Sequence, residues 1–325
     1  MNNNPVVQVV GAFDETERAR LAAAAPDAEV RFCADAEITP ELLKQADALI
    51  GNPLPAMVET AAGEGRLRWM QLLSSGADAY AGSAALKASG LTLTTATGAY
   101  GVGISEYMVS MLLMMMKKIP TSLEQQKAAV WRDAGAVVSP RGKRVLIVGT
   151  GNLGREFAVR MRAFGCELVG VRRRAGVCPE EFDRVCLLAD LESELPEADV
   201  VALCLPGTPE TYHLFDDAML SRCKPGAYLM NVGRGTVIPM ETLLNRAVTD
   251  RFAGIWVDVL ETEPLPDGHP LFSVPGLLIT PHITGGLHLD ITRENILSIC
   301  EENLRAWLSG RPLRRVLDWT TGYCK

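Results

Sequence analysis

Paired cysteines, long apolar runs and a basic excess are all missing from this chain of 325 residues. The eight cysteines, Cys33, Cys166, Cys178, Cys186, Cys204, Cys223, Cys300 and Cys324, are scattered and form no CxxC pair. That argues against a zinc site of the usual ligand spacing, so no metal is expected, and it points to reduced core thiols in a cytoplasmic protein. The most apolar helical stretch, "YMVSMLLMMM" at 107–116, is shorter than the ~18 residues that a membrane span needs. No membrane partner is expected, and the methionines read as soft fillers of a buried helix. No basic segment leads a long apolar one in "MNNNPVVQVV", so no secretory signal is expected. A formal net charge of −7 argues against a broad nucleic-acid surface. There are no repeats or low-complexity tracts.

What remains is a folded chain, 48% hydrophobic and 22% charged, long enough for two domains. Short β-rich runs at 6–10, 29–33, 47–50, 68–73 and 91–95 alternate with helical stretches such as 15–25 and 40–46. That alternation predicts a small open parallel sheet covered by helices. The glycines at 98–103 read as a bendable crossing between domains, with a long helix starting near Ser105. From Arg144 the alternation restarts, with strands expected at 144–148, 167–171, 199–205, 227–231, 253–257 and 277–280. Helices are expected at 152–164, 216–222 and 239–249, which makes a second doubly wound sheet. A helical pattern at 287–308 has no strand of its own and is expected to return to the first domain. The expected fold is α/β with two doubly wound parallel-sheet domains, one from 1–99 with 287–325 and the other from 100–286.

Gly149, Gly151 and Gly154 match G-x-G-x-x-G between an apolar strand and a helical stretch. Such a turn lets backbone approach a pyrophosphate and presents free N–H groups at the positive end of a helix. With strand, helix and next strand in order, a dinucleotide site is expected. The next strand ends at Val171 and runs into Arg172, Arg173 and Arg174, with no acidic residue before Glu180. NAD sites usually carry a carboxylate there for the ribose, whereas arginine accommodates the extra phosphate of NADP. A guanidinium binds that phosphate in a forked, charge-assisted pair, so NADP(H) is favoured over NAD(H). A solvated basic turn is the alternative for any one of the three.

Three later residues also follow apolar strands, where ligands bind in open α/β sheets. They are Arg234 in "LMNVGRGTVI", Glu263 in "AGIWVDVLETEPLP" and His282 in "LLITPHITGG". Hydride transfer to a keto acid builds negative charge on the carbonyl oxygen. An arginine can hold the carboxylate and polarise the carbonyl. A protonated histidine can deliver the proton, and a nearby carboxylate orients the ring and favours its charged form. Glu261, beside Glu263, reads as a solvated turn residue.

Together "GTGNLG", "CLPGTPET", "NVGRG", "DVLETEPLP", "HPLF" and "PHITGG" resemble the NAD(P)-dependent D-2-hydroxyacid dehydrogenases, and "LLSSGAD" at 72–78 resembles that family's substrate loop. The resemblance implies a Rossmann-type cofactor domain and a smaller, flavodoxin-like, discontinuous substrate domain. It also implies a homodimer joined through the cofactor domain, with the helix after Gly103 and its methionines contributing to the contact. Arg234 would bind substrate, Glu263 would be the acidic partner and His282 the proton donor or acceptor. The cofactor would meet Gly149, Gly151, Asn152, Leu153 and Gly154 in the glycine turn. It would also meet Arg172, Arg173 and Arg174, then Leu205, Pro206 and Thr211, then Val232, Gly233 and Gly285. Asp258 would contact the nicotinamide carboxamide. Ser75 and Gly76 would receive the substrate carboxylate, together with Arg234.

Two positions depart from the family pattern. Arg172 stands where NAD-preferring members carry Asp, which again favours NADP(H). Tyr100 stands where many members have Asn, and both substrate contact and simple packing are open to it. The expected activity is reduction of a small 2-oxo acid, glyoxylate or hydroxypyruvate, to the D-2-hydroxy acid. A phosphoglycerate dehydrogenase-like enzyme is a rival, but "LLSSGADAY" offers no cation for a phosphate. A cofactor-sensing co-repressor protein is another, against which the complete Arg–Glu–His set argues.

Overall fold

The apolar runs assemble into two parallel sheets in the structure, a computed structural model that describes residues 4–286 and 289–324. The chain divides into two compact units. One holds the described residues of Met1–Tyr100 and Leu287–Lys325, and the other is Gly101–Gly286.

The first unit contains β1 (Val6–Val10), β2 (Glu29–Cys33), β3 (Ala48–Ile50), β4 (Trp69–Gln71) and β5 (Thr92–Thr94), ordered β2-β1-β3-β4-β5. β1 is buried along its whole length, as a parallel strand covered on both faces must be. Val7 and Val9 meet Leu21 of helix Glu15–Ala23 and Ile296, Cys300 and Leu304 of helix Asp290–Leu308. Val10 faces the other way, toward Val58 and Ala61 of helix Pro55–Glu64. The helix expected over 287–308 is thus Asp290–Leu308, and its expected start at Leu287 lies outside the described residues. It is tied to this unit by Arg20, which bonds Glu294 at 2.6 Å and Glu301 at 2.7 Å. Asn303, fully buried, donates to Gln71 Oε1 at 2.8 Å and so satisfies a polar group inside the core.

The second unit contains β6 (Arg144–Val148), β7 (Glu167–Arg172), β8 (Arg184–Leu187), β9 (Val200–Leu203), β10 (Tyr228–Asn231), β11 (Gly254–Val257) and β12 (Leu277–Ile279). Their order is β12-β11-β10-β9-β6-β7-β8, so the direction of winding reverses between β6 and β9. That reversal opens a crevice beyond the carboxyl ends of these two strands. Leu146, Val148, Val201 and Leu229 fill one side of the sheet, and Val145, Ile147, Ala202 and Trp256 the other. Each such buried aliphatic side chain contributes about 1.5–3 kcal/mol.

The structure corrects three expectations here. The long helix is Gly101–Met116 and begins at Gly101, not near Ser105. Gly101 and Gly103 are buried within its first turn, and a Cβ on Gly101 would come within 2.3 Å of Asn152 Oδ1. Gly101 thus permits close packing on helix Asn152–Ala163 instead of bending a crossing, and of the glycines at 98, 101 and 103 only Gly98 has a left-handed φ, +99°. Met108, Met111, Met115 and Met116 fill this unit's own core, as expected of a buried helix. The helix expected over 239–249 is two short ones, Met240–Leu244 and Arg246–Thr249, split at Asn245, whose side chain accepts from Ala247 N–H. Among the described residues, no helix is long and apolar enough to cross a membrane.

Candidate active site

The glycine turn leaves β6 in the crevice beside β9. Gly149 has φ +113°, and a Cβ there would lie 2.6 Å from the Cys204 carbonyl just beyond β9. A Cβ on Gly154 would lie 2.0 Å from the Gly149 carbonyl, so the helix could not pack back on its own turn. Gly151 is different: nothing lies within 4 Å of its Cβ position. It is the N-cap of helix Asn152–Ala163, and no side chain caps that end. Its neighbour Asn152 is exposed, while Leu153 packs partly on the core. The turn therefore has the open surface and unsatisfied N–H groups that a dinucleotide pyrophosphate requires.

The arginines at the end of β7 behave differently from one another. Arg172 is half-buried and donates Nη1 to Val177 O at 3.0 Å and Nη2 to Gly176 O, closing its own loop. Arg173 and Arg174 are exposed. Glu210 lies near Arg173, which adds to the hydrogen bond from Thr208 in holding the Glu210 carboxyl below its usual range. The loop beyond β9 is folded by Thr211, whose hydroxyl donates to Pro206 O at 2.7 Å and accepts from Thr208 N–H at 2.8 Å. Leu205 and Val232 are buried, and Gly233 packs so closely that a Cβ would meet Leu205 O at 2.3 Å.

Arg234, Glu263 and His282 follow three adjacent strands, β10, β11 and β12. The Arg234 turn is held by buried Asn231, which accepts from Gly233 N–H and donates to Arg234 O, both at 3.1 Å. Arg234 Nη1 donates to Gly233 O at 2.8 Å. Gly235 carries this turn onto the next loop, where a Cβ would lie 1.9 Å from the Leu260 carbonyl carbon. Glu263 accepts from Leu260 N–H at 2.7 Å through Oε1 and from His282 Nδ1 at 2.7 Å through Oε2. An ionised carboxylate only accepts, so the proton sits on Nδ1 and Nε2 is left for chemistry. Asp258 is buried, and its carboxylate accepts from Thr280 Oγ1, Thr284 Oγ1 and the backbone N–H groups of Ile283 and Thr284. It thereby shapes the loop bearing His282, whose N–H donates to the Asp258 carbonyl at 2.9 Å. Gly285 follows in the same turn, half-buried.

The remaining expected residues belong to the first unit. Ser75 is exposed, and its carbonyl accepts from Thr97 Oγ1 at 3.2 Å. The Gly76 carbonyl accepts from Ser74 Oγ at 2.7 Å. Tyr100 donates its hydroxyl to Leu73 O at 2.5 Å, and burial pushes that hydroxyl up to about 12. Its polar atom anchors the chain just before this loop.

Two features escaped the sequence. Glu261 is not a solvated turn residue, because His213 meets its Oε1 at 2.6 Å through Nε2. Gly170 in the middle of β7 makes room for the glycine turn, since a Cβ would meet Thr150 Cγ2 at 2.6 Å. A lone histidine in "TYHLF" and a glycine in an apolar run carry almost no signal of either role. The eight cysteines are all unpaired, and burial pushes the Cys204, Cys223 and Cys300 thiols up to about 12, away from thiolate chemistry. Among the described residues no cluster of three or more His, Cys, Asp or Glu could hold a metal.

A family profile described as "D-isomer specific 2-hydroxyacid dehydrogenase, NAD binding domain" matches residues 109–284. The chain is similar to glyoxylate/hydroxypyruvate reductase B of Pectobacterium carotovorum subsp. carotovorum (strain PC1). The two are 32% identical over 256 residues, covering 75% of this chain and 77% of that protein. Among solved structures it is similar to a D-isomer specific 2-hydroxyacid dehydrogenase family protein from Aeromonas salmonicida subsp. salmonicida A449. That match has a TM-score of 0.86 and 30% identity, covering 98% of this chain and 100% of the other. An NADPH-dependent glyoxylate/hydroxypyruvate reductase from Sinorhizobium meliloti, solved with NADP and sulfate, shares the fold at a TM-score of 0.81. It is 23% identical, with 98% of this chain and 100% of that one covered.

Proposed function

The chain belongs to the D-isomer specific 2-hydroxyacid dehydrogenase family and is an NAD(P)-dependent oxidoreductase, and from that premise we propose that it reduces a small 2-oxo acid, glyoxylate or hydroxypyruvate first, to the D-2-hydroxy acid. The observation that carries this reading is the 2.7 Å bond from His282 to Glu263 on the sheet that also bears the open glycine turn. We assign the dinucleotide to the unit Gly101–Gly286 and the substrate carboxylate to Arg234 of the same unit. When bound, the dinucleotide supplies the hydride. The N–H groups at Gly151 and the helix behind it hold the pyrophosphate. Arg234 neutralises the substrate carboxylate and polarises the carbonyl. His282 gives the proton from Nε2 to the new alkoxide, while Glu263 on Nδ1 fixes the tautomer and stabilises the imidazolium.

NADPH is favoured over NADH in this reading, with Arg173 and Arg174 exposed for the extra phosphate while Arg172 braces their loop. A homodimer is supported by the apolar residues exposed along 119–137, namely Ile119, Leu123, Val130, Val137 and Trp131, the last fully exposed. Unpaired cysteines are in keeping with a cytoplasmic location.

The test is a screen of 2-oxo acids with each cofactor, repeated on His282→Ala. We expect turnover of a small 2-oxo acid with NADPH preferred, and a loss of roughly 10²–10⁴ in kcat for the variant with NADPH still bound. Normal turnover in His282→Ala would remove the assigned proton donor, and equal use of NADH would remove the role of the arginines.

A further inference from the structure

Glu263 is one of two carboxylates on the same short loop that meet a histidine. Glu261, with Thr262 between them, meets His213 at 2.6 Å. The other Glu261 oxygen accepts from Met240 N–H at 3.3 Å, so one carboxylate joins the loop after β9, the loop after β11 and the helix Met240–Leu244. His213 is held for this contact from several sides. Its backbone has φ +52°, a conformation that residues with a Cβ rarely adopt without surrounding constraint. Its N–H donates to Thr236 O at 2.8 Å, and Phe215 N–H donates to Val237 O at 3.0 Å. The Tyr212 ring stacks on the imidazole with centroids 3.8 Å apart. The His213 side chain keeps only 30% of its exposure and that of Glu261 only 22%.

We propose that His213 and Glu261 are a positioning pair, which pins the loop so that the neighbouring Glu263 carboxylate stays aligned on His282. The proposal rests on the reading that His282 is the proton donor. Without the Glu261 anchor, Leu260 keeps its place against Gly235, but the residues between it and Glu263 lose their tie to the loop after β9 and to the helix Met240–Leu244. Glu263 would still find its own Leu260 N–H at 2.7 Å, because that bond is internal to the loop. Its bond to His282 crosses to another strand end and depends on where the loop sits. Neither His213 nor Glu261 needs to touch substrate for this. The effect belongs on the orientation of the imidazole, and so on kcat more than on KM.

The experiment uses the full-length chain with 15N-labelled histidine. The low-field Nδ1–H proton of His282, identified by its absence in His282→Ala, reports the bond to Glu263 whether or not the enzyme turns over. In His213→Ala that signal should broaden or vanish and kcat should fall about tenfold, with KM for the 2-oxo acid within about twofold. His213→Gln can still place an amide N–H on Glu261 and should restore both. If His213→Ala does not fold, Glu261→Gln is measured the same way and should weaken the signal. A signal and kcat unchanged in His213→Ala would overturn the proposal. So would lowered stability with the signal intact, or no recovery in His213→Gln. If the wild type shows the signal but reduces no 2-oxo acid, the functional reading falls and the positioning claim is still judged on the signal.

Discussion

In both units the first strand runs through a glycine into a helix, and the two close that helix in opposite ways. In the five-stranded unit, β1 passes through Gly11, φ +132°, into helix Glu15–Ala23. Its N-terminus is filled by the chain itself. The Asp14 carboxylate accepts from Glu17 N–H and the Glu17 carboxylate accepts from Asp14 N–H, both at 2.9 Å. In the seven-stranded unit, β6 passes through Gly149 into a helix whose N-cap is Gly151, with no side chain at all. Glycine at the strand end is common to both turns. What separates them is the carboxylate, so the anion site proposed here would be made by leaving the helix end unfilled.

Exchanging that feature is the sharpest way to break the comparison. Gly151 has φ −75° and ψ −168°, which any residue adopts, and open space around its Cβ position. Gly151→Asp should therefore fold and gain roughly a few tenths of a kcal/mol from the new cap. Its carboxylate would face the pyrophosphate, and like charges at ~4 Å repel by about 4 kcal/mol at an effective dielectric near 20. We expect NADPH affinity to fall by at least about a hundredfold, read by fluorescence titration beside urea unfolding. Unchanged affinity would move the pyrophosphate away from this helix.

A second pair of residues tests the likeness instead of the difference. Asp47 precedes β3 and accepts from Val6 N–H at 2.8 Å, while Asp199 precedes β9 and accepts from Arg144 N–H at 3.0 Å. Each thus secures the start of its sheet's first strand. Burial pushes both carboxyls up, but the hydrogen bonds to Arg66 and Val6 at Asp47, and to Lys224 and Arg144 at Asp199, outweigh it and hold both below the ordinary 3.8. A carboxyl depressed in the folded state adds stability above its unfolded value, and that stability is lost as pH falls through the folded one. Asp47→Asn and Asp199→Asn should each cost about 1–2 kcal/mol at neutral pH. The gap to wild type should close in acid, below the ordinary carboxylate range, when unfolding is followed at both pH values. A cost at one position only would show that the two sheets are not secured alike.

The same contrast shows why parts of the chain were legible. Buried strands such as Val145–Val148 within β6 announce themselves as apolar runs, because parallel strands are covered on both faces. β8, Arg184–Leu187, was missed because it is an edge strand, exposed at both ends and half-buried between, with no such run. Glycines are harder still. Gly98, Gly101 and Gly103 looked alike in sequence, yet Gly101 packs against Asn152 and only Gly98 turns left-handed. Arg234, Glu263 and His282 were legible because they sit at strand ends. The partners of Glu261 and Arg172 were not, since a side chain's choice between solvent, a distant histidine and its own loop is set by tertiary contacts.

The smallest effect is the mirror of the first. Asp14→Ala removes the cap of the other helix and should cost about 1 kcal/mol by urea unfolding, with NADPH affinity unchanged. It should not create a new anion site, although it empties a helix N-terminus. Glu17 stays in the first turn, held by Arg293 Nη2 at 2.6 Å, and keeps negative charge where a phosphate would have to sit. Beside the turn, Phe13 lies 3.5 Å from the Cβ position of Gly11 and narrows the approach. Saturable binding of inorganic phosphate by Asp14→Ala, absent from wild type, would show that the cap alone kept anions out. Its absence would show that an open end also needs the bare surface that Gly151 provides.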